Sequence, residues 1–117
     1  MTVAVVARDL MIVSRIADAG ARARVEVRRY DEPSQLPRAA ELTLVLVAWD
    51  ERRPDWGDTL VGWCARAPQS ARPRVILFGP HRDLAAHADA RSVGLGPMWA
   101  RSKLVAELPS LFGQPRS

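Results

Sequence analysis

The sequence predicts a doubly wound α/β domain, a five-stranded parallel sheet in the order 2-1-3-4-5 with helices on both faces. Three observations lead there. Residues 2–7 (TVAVVA), 42–49 (LTLVLVAW) and 74–79 (RVILFG) are apolar on both parities, as strands covered on both faces are. The segments between them repeat apolar residues at spacings of three and four, and parallel neighbours need such right-handed crossovers. At 117 residues with 48% apolar content, the chain can bury one core without a metal or disulfide staple.

Residues 2–7 form the first central strand. Asp9 then caps a helix carrying Leu10, Val13, Ile16 and Ala17 and ending at Gly20. Residues 24–30 (RVEVRRY) alternate Val25 and Val27 with Glu26 and Arg28, the pattern of an edge strand with one wet face. Pro33 and Pro37 leave only a short second helix, over 35–41. The strand 42–49 is followed by a polar turn-forming loop (DERRPDWGD). From Asp58 onward Leu60, Val61, Cys64 and Ala67 keep helical spacing until Pro68. After the strand 74–79, Asp83 caps an alanine-rich helix ending at Gly94, and residues 97–101 (PMWAR) make a short fifth strand. Ser102 caps a last helix with Leu104, Val105, Leu108, Leu111 and Phe112, which Pro109 is expected to break or kink. The expected organisation is a single domain over 1–112 with a frayed tail over 113–117.

Composition excludes several classes of function. A single cysteine, Cys64, closes no intrachain disulfide and builds no cysteine-rich zinc site, which fits a reducing cytoplasm. No apolar run approaches the roughly 20 residues needed to span a bilayer, so no membrane association is expected. The net charge of +4 raises nucleic acid as a partner, but sixteen of the 17 basic residues are Arg, only Lys103 is Lys and Asn is absent. That bias suggests a GC-rich coding sequence. Thirteen acidic residues interrupt the basic ones, so nucleic acid is disfavoured.

The order LVLVAW, a Pro/Gly loop, RVILFGPHRD, an Ala-rich helix and GLGPMWARS resembles the receiver domain of bacterial two-component response regulators, the CheY-like branch of the flavodoxin-like folds, over 2–112. Such receivers hold a divalent ion on an acidic pair after the first strand and phosphorylate an Asp ending the third. A Ser/Thr ends their fourth strand and a Lys their fifth. A carboxylate attacks phosphorus only when metal and Lys neutralise the incoming charge. Position by position, the resemblance puts Ala7 and Arg8 at the acidic pair, Ala48 at the phospho-acceptor and Gly79 at the Ser/Thr. Arg101 falls at the Lys, followed by Ser102 where the family usually has Pro. The aromatic switch position is Met98, with Trp99 beside it. Only the positive charge of Arg101 is kept. The resemblance therefore implies a degenerate, stand-alone pseudo-receiver, with no catalysis and no cofactor; a shifted register using Asp9 and Asp50 would restore an acidic site.

Arg8, Asp9, Asp50 and Arg101 are expected where the strand C-termini open, the usual ligand crevice of such sheets. They form either a pocket for a small anionic ligand or a set of Arg–carboxylate pairs replacing the ion and Lys network, the second being favoured. His81 and His87 lack the i, i+4 spacing of a helical metal pair, and Cys64 reads as a small core residue. Trp56, between Pro54 and Gly57, is a candidate exposed contact. Trp49 and Trp99 are strand-end residues of the core or pocket wall. The expected role is a phosphorylation-independent protein-interaction module, with a second copy as one partner. The homodimer face would use the alanine-rich helix, the fifth strand and the last helix, with Arg91, Met98, Trp99 and Glu107 as candidates and Asp89 supplying charge. Only five residues follow Phe112, so output through a separate chain is expected. The rival functions are a ligand-binding or enzymatic flavodoxin-like domain, for which ARDLM offers no phosphate-cradling glycine, and a nucleic-acid accessory protein.

Overall fold

In the computed structural model, which describes residues 1–113, five parallel strands hydrogen-bond in the order β2-β1-β3-β4-β5. The strands are β1 (Thr2–Val6), β2 (Glu26–Tyr30), β3 (Leu44–Ala48), β4 (Arg74–Gly79) and β5 (Trp99–Ala100). The helices are α1 (Leu10–Ala23), α2 (Trp56–Ala65), α3 (Leu84–Ser92) and α4 (Arg101–Leu111). The expected sheet order is borne out, and its cause is the one read from the sequence. Every residue of β3 is buried, and Val3 to Val6 of β1 are fully so, as only central strands are.

Because successive side chains of a strand face opposite ways, the sheet feeds two separate core layers. Val3, Val5, Leu44, Leu46, Ile76 and Phe78 point to one face, where Ile12 and Ile16 of α1 and Leu104 and Leu108 of α4 cover them. Ala4, Val6, Val45, Val47 and Leu77 point to the other. There they meet Trp56, Leu60 and Trp63 of α2 and Ala86 and Ala90 of α3.

Several local expectations need correction. The second helix is absent: residues 31–43 make two isolated 3₁₀ turns, Pro33–Gln35 and Ala39–Glu41. Pro37 lies between them; its ring carbon clashes with the preceding backbone and keeps Leu36 extended, and it has no N–H to donate, so no helix propagates. Leu36, Ala39 and Leu42 cover the sheet there instead. Helix α2 begins at Trp56 rather than Asp58, and α4 begins at Arg101 with Ala100 in the cap position, so Ser102 caps nothing. Pro109 does not break α4, which continues to Leu111. Asp9 and Asp83 do cap α1 and α3, accepting from the N–H groups of Met11 and Ala86. The residues 114–117 of the expected tail lie outside those described; Gly113, at φ +80°, closes α4 by donating to the Ser110 carbonyl.

Gly20 does not end α1, which runs on to Ala23; it is a packing position. A β-carbon there would sit 2.5 Å from Val27 Cγ2 and 3.1 Å from the Val25 carbonyl oxygen. The Val25 N–H donates to the Gly20 carbonyl at 2.8 Å, so helix and strand have no room to part. Gly20→Ala is expected to lower unfolding free energy by about 1–3 kcal/mol despite alanine's better helix propensity, read from the urea midpoint.

Candidate functional site: an arginine between two carboxylates

The site forms at the C-terminal ends of β1, β3 and β4, where the chain leaves the sheet into α1, a 3₁₀ turn (Trp49–Glu51) and the loop before α3. That turn sets the geometry. Immediately after fully buried β3 it tucks Trp49 into the α2/α3 layer and turns the next two acids in different directions. Asp50, with a side chain 19% exposed, accepts from the Arg101 guanidinium at 2.8 Å. Glu51 reaches across to the start of α1 and accepts from the backbone N–H groups of Arg8 at 2.8 Å and Asp9 at 3.3 Å.

Arg101 opens α4 and faces a second acid, Asp9, at 3.7 Å. The two Asp9 oxygens divide their work: Oδ1 caps α1 and Oδ2 faces Arg101. One guanidinium thus ties the first turn of α4 to the ends of β1 and β3. Asp50 Oδ1 and Arg101 Nε are both buried without a partner, so each keeps one unused hydrogen-bonding position inside the cluster.

The positions surrounding this pair are small and dry. Ala7 and Ala48 are fully buried and belong to the α1/α4 core layer. Gly79 ends β4 against Asp50. A β-carbon there would lie 3.1 Å from Met98 Sδ and 3.4 Å from Asp50 Oδ1, so the space a serine or threonine would need is already filled. At the neighbouring corner Arg29 donates to the Ala7 carbonyl at 3.2 Å and pairs with Asp31, and that guanidinium holds the Asp31 carboxyl below the ordinary carboxylate range. Among the described residues no group of three or more His, Cys, Asp or Glu side chains is arranged to hold a metal ion.

Arg8, Asp9, Asp50 and Arg101 are brought to one corner, as expected, but with different roles. Arg101 makes the ion pairs, whereas Arg8 is exposed and contributes only its backbone N–H. The sequence reading missed Glu51 and also Arg52, which donates to Asp89 of α3 at 2.9 Å and lies over the Trp49 ring, 5.5 Å from its centroid. The signal was the charged run Asp50 to Arg53 immediately after a wholly apolar strand.

Two interface candidates fall to burial. Trp56 is 3% exposed, packed as the first residue of α2 in step with Leu60 and Trp63, so it offers no contact surface. The i, i+4, i+7 spacing of those three residues was the sign of its burial. Met98, 4% exposed, sits beneath Gly79. Trp99 is half-buried, flanked by Arg74 and Lys103. Arg91 stays exposed, but Asp89 is already committed to Arg52.

A groove of about 480 Å³ opens beside Arg101 between the starts of α1 and α4, lined by Asp9, Met11, Ile12, Arg15 and Val105. Its walls are mainly apolar and Arg101 is already neutralised, a poor setting for a small anion.

No protein-family model matches the chain, and no curated protein matches it in sequence. Solved structures do. A response regulator from Hahella chejuensis superposes with a TM-score of 0.68 at 10% identity, covering 95% of this chain and 91% of the other. The chain has the receiver fold. A response regulator receiver protein from Burkholderia phymatum gives a TM-score of 0.63 at 13% identity, covering 97% and 96%. A putative CpaE2 pilus assembly protein from Sinorhizobium meliloti 1021 gives 0.59 at 16%, covering 91% and 95%. On this receiver fold no helix among the described residues is long and apolar enough to cross a membrane.

Proposed function

We propose that the chain is a pseudo-receiver, a response-regulator-like module that works by binding a protein partner and does not depend on aspartyl phosphorylation. The observation that carries this reading is the seat of Arg101. In the receiver scheme the fifth-strand cation meets an incoming phosphoryl group beside a carboxylate nucleophile and a bound divalent ion. Here the cation is held by Asp50 and Asp9, and the resemblance places Ala48 at the nucleophile and Ala7 and Arg8 at the ion positions. In an active receiver the phosphoryl group biases a two-state face; an internal Arg–carboxylate pair holds that face in one state, so partner binding is constitutive.

The expected result with acetyl phosphate and Mg²⁺ is no mass increase by intact-mass spectrometry. Incorporation on Asp50 or Asp9 would overturn the reading. A second copy remains one partner under this proposal, through exposed Arg91 on α3. A strictly monomeric mass by light scattering at about 100 µM, above the Kd of a roughly −8 kcal/mol contact, would leave only a different protein.

A further inference from the structure

The opposite end of the sheet carries a charge distribution unrelated to the Arg101 cluster. Arg24, Arg38, Arg66, Arg72 and Arg74 all lie in the segments entering the N-terminal ends of β2, β3 and β4. The nearby acids are Glu26, paired with Arg28, and Glu41. Part of this pattern serves the helices, since Arg24 and Arg66 stand at the C-terminal caps of α1 and α2. The α-helix C-termini do not account for Arg38 and Arg72, which flank the short 3₁₀ turns Ala39–Glu41 and Gln69–Ala71.

Two of these arginines, Arg38 and Arg66, line a notch. Arg38, Ala39, Trp63, Arg66, Ala67 and Ala71 line a depression of about 290 Å³ between the end of α2 and the second 3₁₀ turn. Arg72 is fixed at its rim by a 3.1 Å hydrogen bond from Nε to the Ala67 carbonyl. Arg38, Arg66 and Arg72 are exposed, and none makes an ion pair among the described residues. The floor is apolar, and it is rigid because the Trp63 indole N–H donates to the Pro37 carbonyl at 2.8 Å.

We propose that this notch docks an acidic segment of a partner protein, one aliphatic side chain entering the depression while carboxylates on either side meet Arg38, Arg66 and Arg72. The volume falls just below the roughly 300–1,000 Å³ of small-molecule pockets and suits a side chain. Nucleic acid fits less well. Trp63 is 6% exposed, so no ring face is free for a base to stack on, and the other floor residues are alanines. The site end of a second copy fits less well, because Asp9, Asp31, Asp50, Glu51 and Asp83 there are engaged in ion pairs, caps or backbone bonds; binding of a second copy through its other acids would appear as self-association and count against the peptide. What remains is charge complementarity to an extended acidic peptide. The proposal rests on reading the domain as an interaction module, but it uses a different surface from the Arg101 cluster. Phosphate incorporation would overturn that reading without touching this site, and a failed peptide test would remove only the site.

The test is fluorescence anisotropy of the full chain with three labelled probes: a short Asp/Glu peptide with one central Leu, the same peptide with Ser in its place, and a short DNA duplex. The Leu peptide is expected to bind about tenfold more tightly than the Ser peptide. Arg38→Glu with Arg66→Glu should cost at least about tenfold. Ala71→Trp, which fills the notch without changing charge, should erase the Leu preference, while Arg82→Glu on the far end of the sheet should change nothing. Equal binding of the two peptides, no peptide binding, or tighter binding of the duplex with the same arginine dependence would each overturn the proposal.

Discussion

Phe78→Ala is expected to lower the unfolding free energy by about 3–5 kcal/mol, out of the roughly 5–15 kcal/mol typical of a domain. Phe78 is fully buried in β4, on the face covered by α1 and α4. Its register partner in β5 is Trp99, and β5 has only two residues, so backbone pairing contributes little to seating the C-terminal unit. Packing of α4 against α1 and, in the same layer, of Leu104 and Leu108 with Phe78 does it instead. Truncation therefore removes a large side chain from a dry layer and loosens the seat of α4, the helix that begins with Arg101. The change should appear as a shift of the urea midpoint with an unchanged slope. Leu84→Ala, at a side chain 77% exposed, should stay within about 0.5 kcal/mol and serves as the control.

The second large effect concerns Ala48, which the resemblance to receivers places at the phospho-acceptor position. Ala48→Asp places a carboxylate where the residue is 0% exposed and joined to the α1/α4 core layer. Burial disfavours the charged form, and Arg101 is already shared by two acids, so a loss of about 3 kcal/mol at neutral pH is expected. The same burial raises the folded-state pKa of the new carboxyl above its unfolded value. Protonation then favours the folded state, so the deficit should shrink as pH falls. Phosphate incorporation should remain absent, because Ala7 and Arg8 present no carboxylates to a divalent ion. Acids at both of those positions as well should be necessary. Phosphorylation of the single variant, by intact mass with acetyl phosphate and Mg²⁺, would show that the positional match or its electrostatic reading is wrong.

The sheet order was legible because β1, β3 and β4 are apolar on both parities whereas β2 alternates, and that difference is a direct record of which strands are covered twice. The caps at Asp9 and Asp83 were legible for a local reason, as a short acceptor one residue before a periodic segment has few other uses. The pairing of Arg101 was half legible: the charges stood in the sequence, but which acid turns toward the guanidinium depends on the 3₁₀ turn after β3. That turn sends Asp50 to Arg101 and Glu51 to the amides of Arg8 and Asp9. Nothing in the sequence spacing tells those two acids apart. Trp56 reads as exposed because its neighbours Pro54 and Gly57 are turn residues, while its burial is dictated by the first turn of a helix that starts two residues before the periodicity suggests. The short second helix over 35–41 is missing for a different reason: Pro33 and Pro37 shorten the segment further than the one short helix allowed for them, to two isolated 3₁₀ turns.

In the proposed pseudo-receiver the Arg101 guanidinium, paired with Asp9 and Asp50, holds the ends of β1 and β3 and the start of α4 in a single arrangement. Backbone ¹⁵N relaxation dispersion tests it most directly, since it reports exchange between arrangements on the microsecond-to-millisecond scale. Flat profiles for Arg8 to Leu10, Asp50, Gly79 and the first two turns of α4 are predicted in the unmodified protein, with exchange appearing at those positions in Arg101→Gln. Exchange at the same positions in the unmodified protein, unchanged by Arg101→Gln, would show that Arg101 does not hold this end of the sheet in one arrangement.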